Sequence, residues 1–357
     1  MLARVRKLGL KLRAEQLDAY VAIRNSRYLS GTYAATAVIV YDRGAILICT
    51  RLELDRAKQE SPIGDIRAYF PRRVPLRRGE QVRFCELWEL LGECLRELGA
   101  RRIGFDAMSS ETLRKLRDVY EADYVELPDL VMEMRKIKSR REIAHLRKAA
   151  KLAVEGMSLA AKLIEEGASE LEIAAEVERA MRRRGSGRTP FETIVASGEN
   201  SWLPHATATR KRLRRGELVV VDLGATYKGY ASDMTRTFPL EATPKQLKLM
   251  EVVKRAQAAA IGRLREGVKA GDVDRIARAI VARAGLERFY LHGTGHGIGL
   301  DVHEPPSLTP GAEETLRRGM VLTVEPGVYV SGVGGARFED MLLVLEDGCE
   351  LLTSNEI

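Results

Sequence analysis

Cysteine and histidine, the side chains that most often build small metal and redox sites, are both scarce in this sequence. The 357 residues include 4 cysteines and 5 histidines. No two cysteines form a C-x-x-C pair, so their spacing predicts neither a zinc ribbon nor a disulfide framework, and we expect free thiols. All five histidines lie beyond residue 139, which excludes a histidine-based site from the N-terminal part of the chain.

Long apolar segments are also missing. No run approaches the roughly 20 residues that a membrane-spanning helix needs. The N-terminal stretch "MLARVRKLGLKLRAEQLDAY" is basic, but charges interrupt its apolar residues. It therefore predicts an amphipathic helix rather than a signal peptide, and we expect a cytoplasmic protein that has no membrane partner.

Positive charge is in excess, with a formal net charge of +8. Two basic clusters, at 181–188 and 210–215, raise the alternative of a nucleic-acid surface. However, 50 acidic residues are interspersed through the chain, and no aromatic residues alternate with the basic ones. We therefore interpret both clusters as solvated turn surface and expect no nucleic-acid partner.

A chain of this length predicts two domains rather than one core. Residues 1–127 alternate strand and helix patterns, which is typical of a small α/β domain, and they carry no catalytic constellation. Residues 128–138, beginning with Pro128, are predicted to be a linker. Residues 139–357 hold every histidine and are predicted to form the catalytic domain, so the overall class is α/β, or α+β.

The second domain has the pattern of a duplication. Two helices followed by a strand pair occur twice, with helices at 139–165, 169–184, 243–265 and 272–284 and strand pairs at 217–238 and 319–345. Two units of the same kind in succession predict an approximate two-fold symmetry.

Capping signals mark the helix starts of both units. Capping boxes are predicted at Ser139 with Glu142, Ser169 with Glu172 and Thr243 with Gln246. For the fourth helix, we expect Asp272 to be the N-cap.

Two aspartates lie on the first strand pair, "ELVVVDLGATYKGYASDMTRTF". If Thr226–Gly229 is a four-residue loop, Ala225 faces Tyr230 and Asp222 falls directly opposite Asp233. Facing residues of an antiparallel pair have Cβ atoms about 4.5–5.5 Å apart. Two partly buried carboxylates at that separation require either a proton or a cation between them.

The second strand pair repeats this arrangement. Glu325 ends an apolar strand in "GMVLTVEPGVYV", and Glu339 begins the return strand in "GGARFEDMLLVL". Symmetry brings all four carboxylates together, and four negative charges require about two divalent cations. The glycine-rich segment "HGTGHGIGLDVHEPP" can add one imidazole ligand, and spacing alone leaves His292, His296 and His303 as alternatives. This ligand set suits Mn²⁺, Co²⁺, Fe²⁺ or Zn²⁺.

These segments together resemble the pita-bread (creatinase/aminopeptidase-like) metallopeptidases, and most of all the Xaa-Pro branch of prolidase and aminopeptidase P. The resemblance covers essentially the whole chain and implies a creatinase-like N-terminal domain, a pita-bread C-terminal domain and a homodimer. It implies that two divalent metal ions, Mn²⁺, Co²⁺ or Zn²⁺, are held by Asp222, Asp233, His296, Glu325 and Glu339. It also implies catalytic roles for Glu325, His303, His205, His292 and Arg337.

The activity that the resemblance implies is hydrolysis of the Xaa-Pro bond in dipeptides or short peptides by an activated water. Ser307 stands where some prolidases carry an arginine that grips the dipeptide carboxylate, which favours longer substrates. A methionine-aminopeptidase-type exopeptidase shares the five ligands, although it usually lacks the N-terminal domain. A non-peptidase binding protein on the same scaffold is the other alternative.

Overall fold

The structure, a computed structural model, describes residues 2–353. Its contacts divide the chain into two units, Met1–Met134 and Arg135–Ile357. A helix at Asp129–Lys136 occupies most of the expected linker. The domain limits 1–127, 128–138 and 139–357 stay a prediction. None of the described helices is both long and apolar enough to cross a membrane.

The N-terminal unit is built on a seven-stranded mixed sheet. Its strands are β1 (Ala19–Ala22), β2 (Ala37–Tyr41), β3 (Gly44–Thr50), β4 (Asp65–Tyr69), β5 (Val82–Arg83), β6 (Arg102–Phe105) and β7 (Asp123–Glu126), and its helices are α1 (Leu2–Ala14), α2 (Ser26–Ser30), α3 (Leu54–Glu60), α4 (Leu87–Leu98) and α5 (Ser110–Val119). Helix α6 (Asp129–Lys136) contains the boundary, and its last two residues belong to the C-terminal unit. The strand order is β5-β4-β3-β2-β1-β6-β7. Strand β2 is antiparallel to β1 and β3, and the other neighbours are parallel. The expected α/β class is confirmed.

The C-terminal unit contains four main helices and several short sheets. The helices are α7 (Arg140–Leu163), α8 (Glu170–Arg183), α9 (Pro244–Arg263) and α10 (Ala270–Arg283). The strands are β8 (Ile194–Ser197), β9 (Glu217–Leu223), β10 (Thr226–Tyr227), β11 (Tyr230–Ala231), β12 (Met234–Leu240), β13 (Gly295–Gly297), β14 (Glu304–Leu308), β15 (Val321–Val324), β16 (Gly327–Val330), β17 (Gly334–Arg337), β18 (Asp340–Val344) and β19 (Cys349–Leu351).

The predicted duplication is confirmed. One sheet has the order β12-β9-β8, and the other contains β13-β15-β18, so each repeat supplies three adjacent strands. The loop that joins the two helices of each repeat makes the same backbone bonds. Gly167 N donates to Leu213 O at 3.0 Å, and Gly267 N donates to Leu316 O at 2.9 Å. Equivalent elements therefore lie in equivalent places in the two halves.

Apolar packing in each repeat holds the helices against the strands. Leu152, Val177 and Val221 belong to the buried cluster of the first repeat, and Val253 and Leu322 belong to that of the second. Fully burying such side chains contributes about 1.5–3 kcal/mol each. The strand ends that leave these cores carry the acidic residues.

Three helix starts follow the predicted capping boxes, and one prediction was wrong. Side-chain caps are present at Ser139, Ser169 and Thr243. Asp272 is not an N-cap, because α10 begins at Ala270 and has Lys269 at its N-cap position. The helix starts earlier because the Ala270 N–H already has a partner, the backbone oxygen of Glu314 at 2.8 Å.

The predicted register of the first hairpin was also wrong. Lys228 and Gly229 have φ values of 49° and 83°, so they form a two-residue turn rather than a four-residue loop. Tyr227 consequently faces Tyr230, and not Ala225, and Asp222 faces Thr235 instead of Asp233. The error is two residues, which preserves the face of the strand, so Asp222 and Asp233 still lie on the same side.

Candidate metal centre and active-site pocket

All nine residues that the sequence predicts for the site line one pocket of about 410 Å³ in the C-terminal unit. They are Asp222, Asp233, His296, Glu325, Glu339, His205, His292, His303 and Arg337. The structure therefore brings together residues that lie up to 134 positions apart in the sequence, from His205 to Glu339.

The four carboxylates come from equivalent strand ends in the two repeats. Asp222 is the last but one residue of β9, and Glu325 directly follows β15. Asp233 directly precedes β12, and Glu339 directly precedes β18. Because β9 and β15, and likewise β12 and β18, are counterparts, the duplication is what makes the acidic groups converge.

His296 lies among these carboxylates. Possible metal-ligating atoms of Asp233, His296 and Glu339 all lie within 4.8 Å of one another. The Nε2 atom of His296 is 3.2 Å from Glu325 Oε1 and 3.7 Å from Asp233 Oδ2. Its Nδ1 atom lies 3.0 Å from the backbone oxygen of Gly297, which can only accept, so Nδ1 carries a proton and Nε2 is the ring nitrogen that can bind a metal ion.

Three buried carboxylate oxygens of the pocket have no hydrogen-bond partner among the described residues. They are Oδ1 of Asp222, Oδ1 of Asp233 and Oε1 of Glu339. Unpaired buried acceptors are costly, and buried charges are normally paired or bound to metal. The donor set of carboxylate oxygens and one imidazole therefore fits divalent transition-metal ions.

The pKa shifts of two of the carboxylates also indicate a site that suits a cation. Burial raises the pKa of Asp233 well above its ordinary value, and the nearby Glu339, Asp222 and Glu325 raise it further. Burial likewise raises the pKa of Glu339, with Glu325 and Asp222 adding to the effect. Asp233 and Glu339 therefore resist ionisation beside the other carboxylates, and a cation between them would remove that penalty.

Glu325 differs from its neighbours. Burial raises its pKa, but the hydrogen bond and the charge of His296 outweigh burial, so the net pKa is lowered. Its side chain retains 18% exposure toward the pocket. The pKa of Glu325 is thus shifted in the opposite direction to those of Asp233 and Glu339, and Glu325 lines the open pocket.

Arg337 connects the pocket to its supporting residues. It donates to Asp222 Oδ2 at 2.6 Å, to the Tyr329 hydroxyl at 2.6 Å and to Thr235 Oγ1 at 3.1 Å. The Thr235 hydroxyl in turn donates to Glu339 Oε2 at 2.8 Å. Arg337 thus fixes one carboxylate from each repeat, the first directly and the second through Thr235.

Sequence reasoning missed two members of this network, Tyr329 and Thr235. Only Thr235 carried a recognisable pattern, because it is two residues after Asp233 at the beginning of a strand, whereas Tyr329 lies on β16, a different strand from the one that Glu325 follows. Even spacing along a strand places side chains on one face. Neither residue has a carboxylate, an imidazole or a basic side chain, so neither was predicted as a metal ligand or a catalytic residue.

The three other histidines that line the pocket differ in the hydrogen bonds that their ring nitrogens make within the protein. His292 uses both ring nitrogens inside the protein, with Nδ1 2.8 Å from Gly293 O and Nε2 2.9 Å from the Tyr329 hydroxyl. His303 and His205 have no hydrogen-bond partner among the residues that the structure describes. The His303 ring centroid lies 4.2 Å from that of His296, and burial together with His296 lowers the pKa of His303. His303 thus lines the pocket, and neither of its ring nitrogens is hydrogen-bonded within the described part of the chain.

The basic cluster 210–215 is partly neutralised within the protein. Lys211 lies 2.7 Å from Glu217, and Arg215 lies 2.9 Å from Glu166 and 2.8 Å from Glu241. These contacts are consistent with the interpretation of this cluster as solvated turn surface.

Comparison with known proteins identifies the family. Residues 144–346 match metallopeptidase family M24, and residues 4–137 match the creatinase/prolidase N-terminal domain. The chain belongs to metallopeptidase family M24. The expected fold, a creatinase-like N-terminal domain and a pita-bread catalytic domain, is thereby confirmed, and so is the expectation of a metallopeptidase.

Several members of the M24 family are similar to this chain over nearly their full length. An Xaa-Pro dipeptidase of Pyrococcus horikoshii is 36% identical, with 99% of this chain and 97% of that protein covered. The structure of an Xaa-Pro dipeptidase from Bacillus anthracis has a TM-score of 0.90 at 30% identity, covering 99% and 97%. An X-Pro aminopeptidase from Thermotoga maritima has a TM-score of 0.87 at 30% identity, covering 98% and 97%.

Proposed function

We propose that this M24 peptidase is a dinuclear metal-dependent exopeptidase that hydrolyses the Xaa-Pro bond at the N-terminus of dipeptides or short peptides. The observation that carries the proposal is the set of buried, unpartnered carboxylate oxygens from both repeats in one pocket. The names of the similar proteins support the Xaa-Pro bond as the target, and they include both a dipeptidase and an aminopeptidase.

The proposed ligands are Asp222, Asp233, His296, Glu325 and Glu339. Two ions of Mn²⁺, Co²⁺ or Zn²⁺ held there would supply an activated water and polarise the scissile carbonyl. Arg337 keeps Asp222 in place through their 2.6 Å bond. The cytoplasmic location and the homodimer remain predictions.

The protein's own residues take up the protons and charge of the reaction. Glu325 lines the pocket and its pKa is lowered, so in this proposal it accepts the proton of the attacking water and passes it to the leaving nitrogen. His303 can donate a hydrogen bond to the oxygen that becomes negative, because its ring nitrogens are free. His292 keeps Tyr329 and Arg337 in position, and His205 lines the substrate side.

Proline suits a pocket of this composition. The nitrogen of an Xaa-Pro bond has no N–H, so the protein recognises the residue by shape rather than by a donor. Phe191, Ile194 and Val302 supply apolar surface beside the histidines. Ser307 also lines the pocket and offers only a hydroxyl to a substrate carboxylate. Peptides longer than a dipeptide, whose carboxylate lies beyond the proline, are therefore accepted in this proposal.

A substrate comparison tests the function. We expect hydrolysis of Ala-Pro and Ala-Pro-Ala in the presence of Mn²⁺, Co²⁺ or Zn²⁺, and at least about 100-fold lower kcat/KM for Ala-Ala, because its side chain fills less of the apolar surface. The assay measures release of the free N-terminal amino acid. Faster cleavage of Met-Ala-Ala than of any proline peptide would favour the methionine-aminopeptidase alternative. No turnover and no metal uptake would favour a binding protein.

Removal of the Tyr329 hydroxyl tests the supporting network. In Tyr329→Phe, His292 Nε2 and an Arg337 N–H lose a buried partner, which costs about 1–3 kcal/mol of stability. Because Arg337 also holds Asp222, we expect kcat to fall about tenfold while KM changes little. Thermal unfolding and steady-state kinetics give the two values. Tyr227→Phe is the matched control, since its hydroxyl has no hydrogen-bond partner among the described residues, and equal effects in both variants would contradict the role.

A further inference from the structure

We propose that Glu304 is a positioning residue for His303. The two residues are adjacent in the chain, yet their side chains have different surroundings. His303 lines the pocket, whereas the Glu304 side chain is 2% exposed and lies among cations. This inference rests on the proposed function only in the role that His303 plays toward the substrate.

Two buried cations at the beginning of the C-terminal unit hold Glu304. Arg135 Nη2 donates to Glu304 Oε1, and the Arg135 side chain is 4% exposed. Lys138 Nζ lies 3.5 Å from Glu304 Oε2, and the Lys138 side chain is 2% exposed. A buried cluster of this kind contributes little net stability compared with apolar side chains of similar volume. The cluster therefore matters more for fixing the geometry of the residues around it than for the stability of the fold.

The Glu304 carboxylate also shapes the loop that carries His303. Its Oε1 accepts from the Asp301 backbone N–H at 3.1 Å, and Arg135 binds the Asp301 carboxylate at 2.7 Å. A side chain at Gly299 would meet the carboxylate, because a Cβ there would lie 2.6 Å from Oε1. The carboxylate thus fills the concave side of residues 299–304.

The same loop is attached to the first hairpin. Ala231 N donates to the Gly299 backbone oxygen at 2.8 Å, and Ala231 is two residues before Asp233. Loop 299–304 is therefore held on one side by the hairpin and on the other by the Arg135–Lys138–Glu304 cluster. His303 has no hydrogen bond of its own among the described residues, so its position depends on these backbone restraints and on its contact with the His296 ring.

Replacing Glu304 should therefore change the reaction rate by changing the position of His303. Glu304→Gln keeps the shape of the side chain and removes its charge, so Arg135 and Lys138 lose the carboxylate that they share, Arg135 keeps its bond to Asp301, and the loop relaxes. A displacement of about 1 Å in a group that acts on the reaction can cost about 100-fold in rate. We expect Glu304→Gln to lower kcat by about 10- to 100-fold, with KM and the Mn²⁺ dissociation constant within about threefold of the wild type, because the proposed metal ligands are untouched.

A double-mutant cycle with His303→Ala separates positioning from stability. If Glu304 acts through His303, then Glu304→Gln lowers kcat less than about threefold when His303 is already alanine. The proposal would be overturned if Glu304→Gln lowered kcat by the same factor with and without His303. It would also be overturned if Glu304→Gln lowered the unfolding temperature but left kcat at 25 °C unchanged. Glu350→Gln, which breaks the exposed pair with Arg147, is the control and should change neither property.

A milder variant allows the same test if Glu304→Gln does not fold. Lys138→Met leaves the Arg135–Glu304 pair intact and removes only the second cation, and we expect a kcat loss of about three- to tenfold that again disappears without His303. Crystal structures of the wild type and of either variant supply a readout that does not need turnover. A His303 ring displaced by about 1 Å supports the inference, and an unmoved ring overturns it, even if the wild type cleaves no Xaa-Pro peptide.

Discussion

Asp233→Asn is expected to lower kcat/KM toward an Xaa-Pro dipeptide by about 10³-fold or more in the presence of Mn²⁺. Loss of an outer hydrogen-bond partner of a metal site already costs about 10- to 100-fold, and Asp233 is one of three residues whose possible ligand atoms all lie within 4.8 Å of one another. The amide removes one of four negative charges and replaces a carboxylate oxygen by an N–H₂ group that cannot bind a cation.

The fold should survive this substitution. Asp233 Oδ1 has no hydrogen-bond partner among the described residues, and the Asp233 backbone N–H bond to Met341 Sδ, at 3.3 Å, does not involve the side chain. Far-ultraviolet circular dichroism and metal analysis accompany the kinetics. Asp347→Asn, at an exposed turn, is the matched control. Full activity of Asp233→Asn at unchanged metal content would remove Asp233 from the ligand set.

Glu339→Gln is expected to stabilise the metal-free protein and to abolish its stabilisation by metal. In the metal-free wild type, burial and the neighbouring carboxylates raise the pKa of Glu339. A group whose pKa is raised on folding stabilises the folded state fully only below its unfolded pKa, and that contribution is lost as the pH rises through the folded pKa. The advantage of the glutamine variant should therefore be absent near pH 4 and grow as the pH increases.

Thermal unfolding with and without metal measures both effects. After treatment with a chelator, at pH 7, Glu339→Gln should unfold at a temperature at least about 2 °C higher than the wild type, the shift that roughly 1 kcal/mol produces in a domain of this size. With Mn²⁺ at about 100 times its dissociation constant, the wild type gains about 2.7 kcal/mol, or about 5–10 °C, and the variant gains little. A less stable metal-free variant, or equal gains with Mn²⁺, would contradict the assignment.

The acidic residues of the site could be predicted because their chemistry conflicts with their sequence context. Asp222 and Glu325 each end an apolar strand, and an ionisable group in such a place needs a partner. The repeated order of helices and strands then predicted that the groups meet. The choice of His296 among three histidines came from family resemblance, and its assignment as a ligand remains a prediction.

The hairpin register could not be predicted from the same reasoning. "TYKG" is compatible with a loop of two or of four residues, and Lys228 is a residue that rarely adopts a positive φ. The sequence therefore did not mark the turn. The strand face that carries Asp222 and Asp233 was predicted correctly nevertheless, because an error of two residues leaves the alternation of side chains along a strand unchanged.

The cluster around Glu304 was beyond sequence reasoning for a different reason. Arg135 and Glu304 are 169 residues apart, and nothing in the local sequence of either residue indicates the other. Charged residues are so common in this chain that a buried one cannot be distinguished before folding brings its partners together. Only the three-dimensional contacts show that these charges are buried.

The duplication has an implication for how such a protein arose. Each copy of the helix–helix–strand unit carries only two of the four acidic groups, so a single copy is half of a site. An ancestor with one copy would have needed an identical chain beside it to bind the same ions, and tandem joining of the two genes would have made that association permanent. The halves were then free to diverge, as His296 on β13 illustrates, since its counterpart strand β8 contains no histidine.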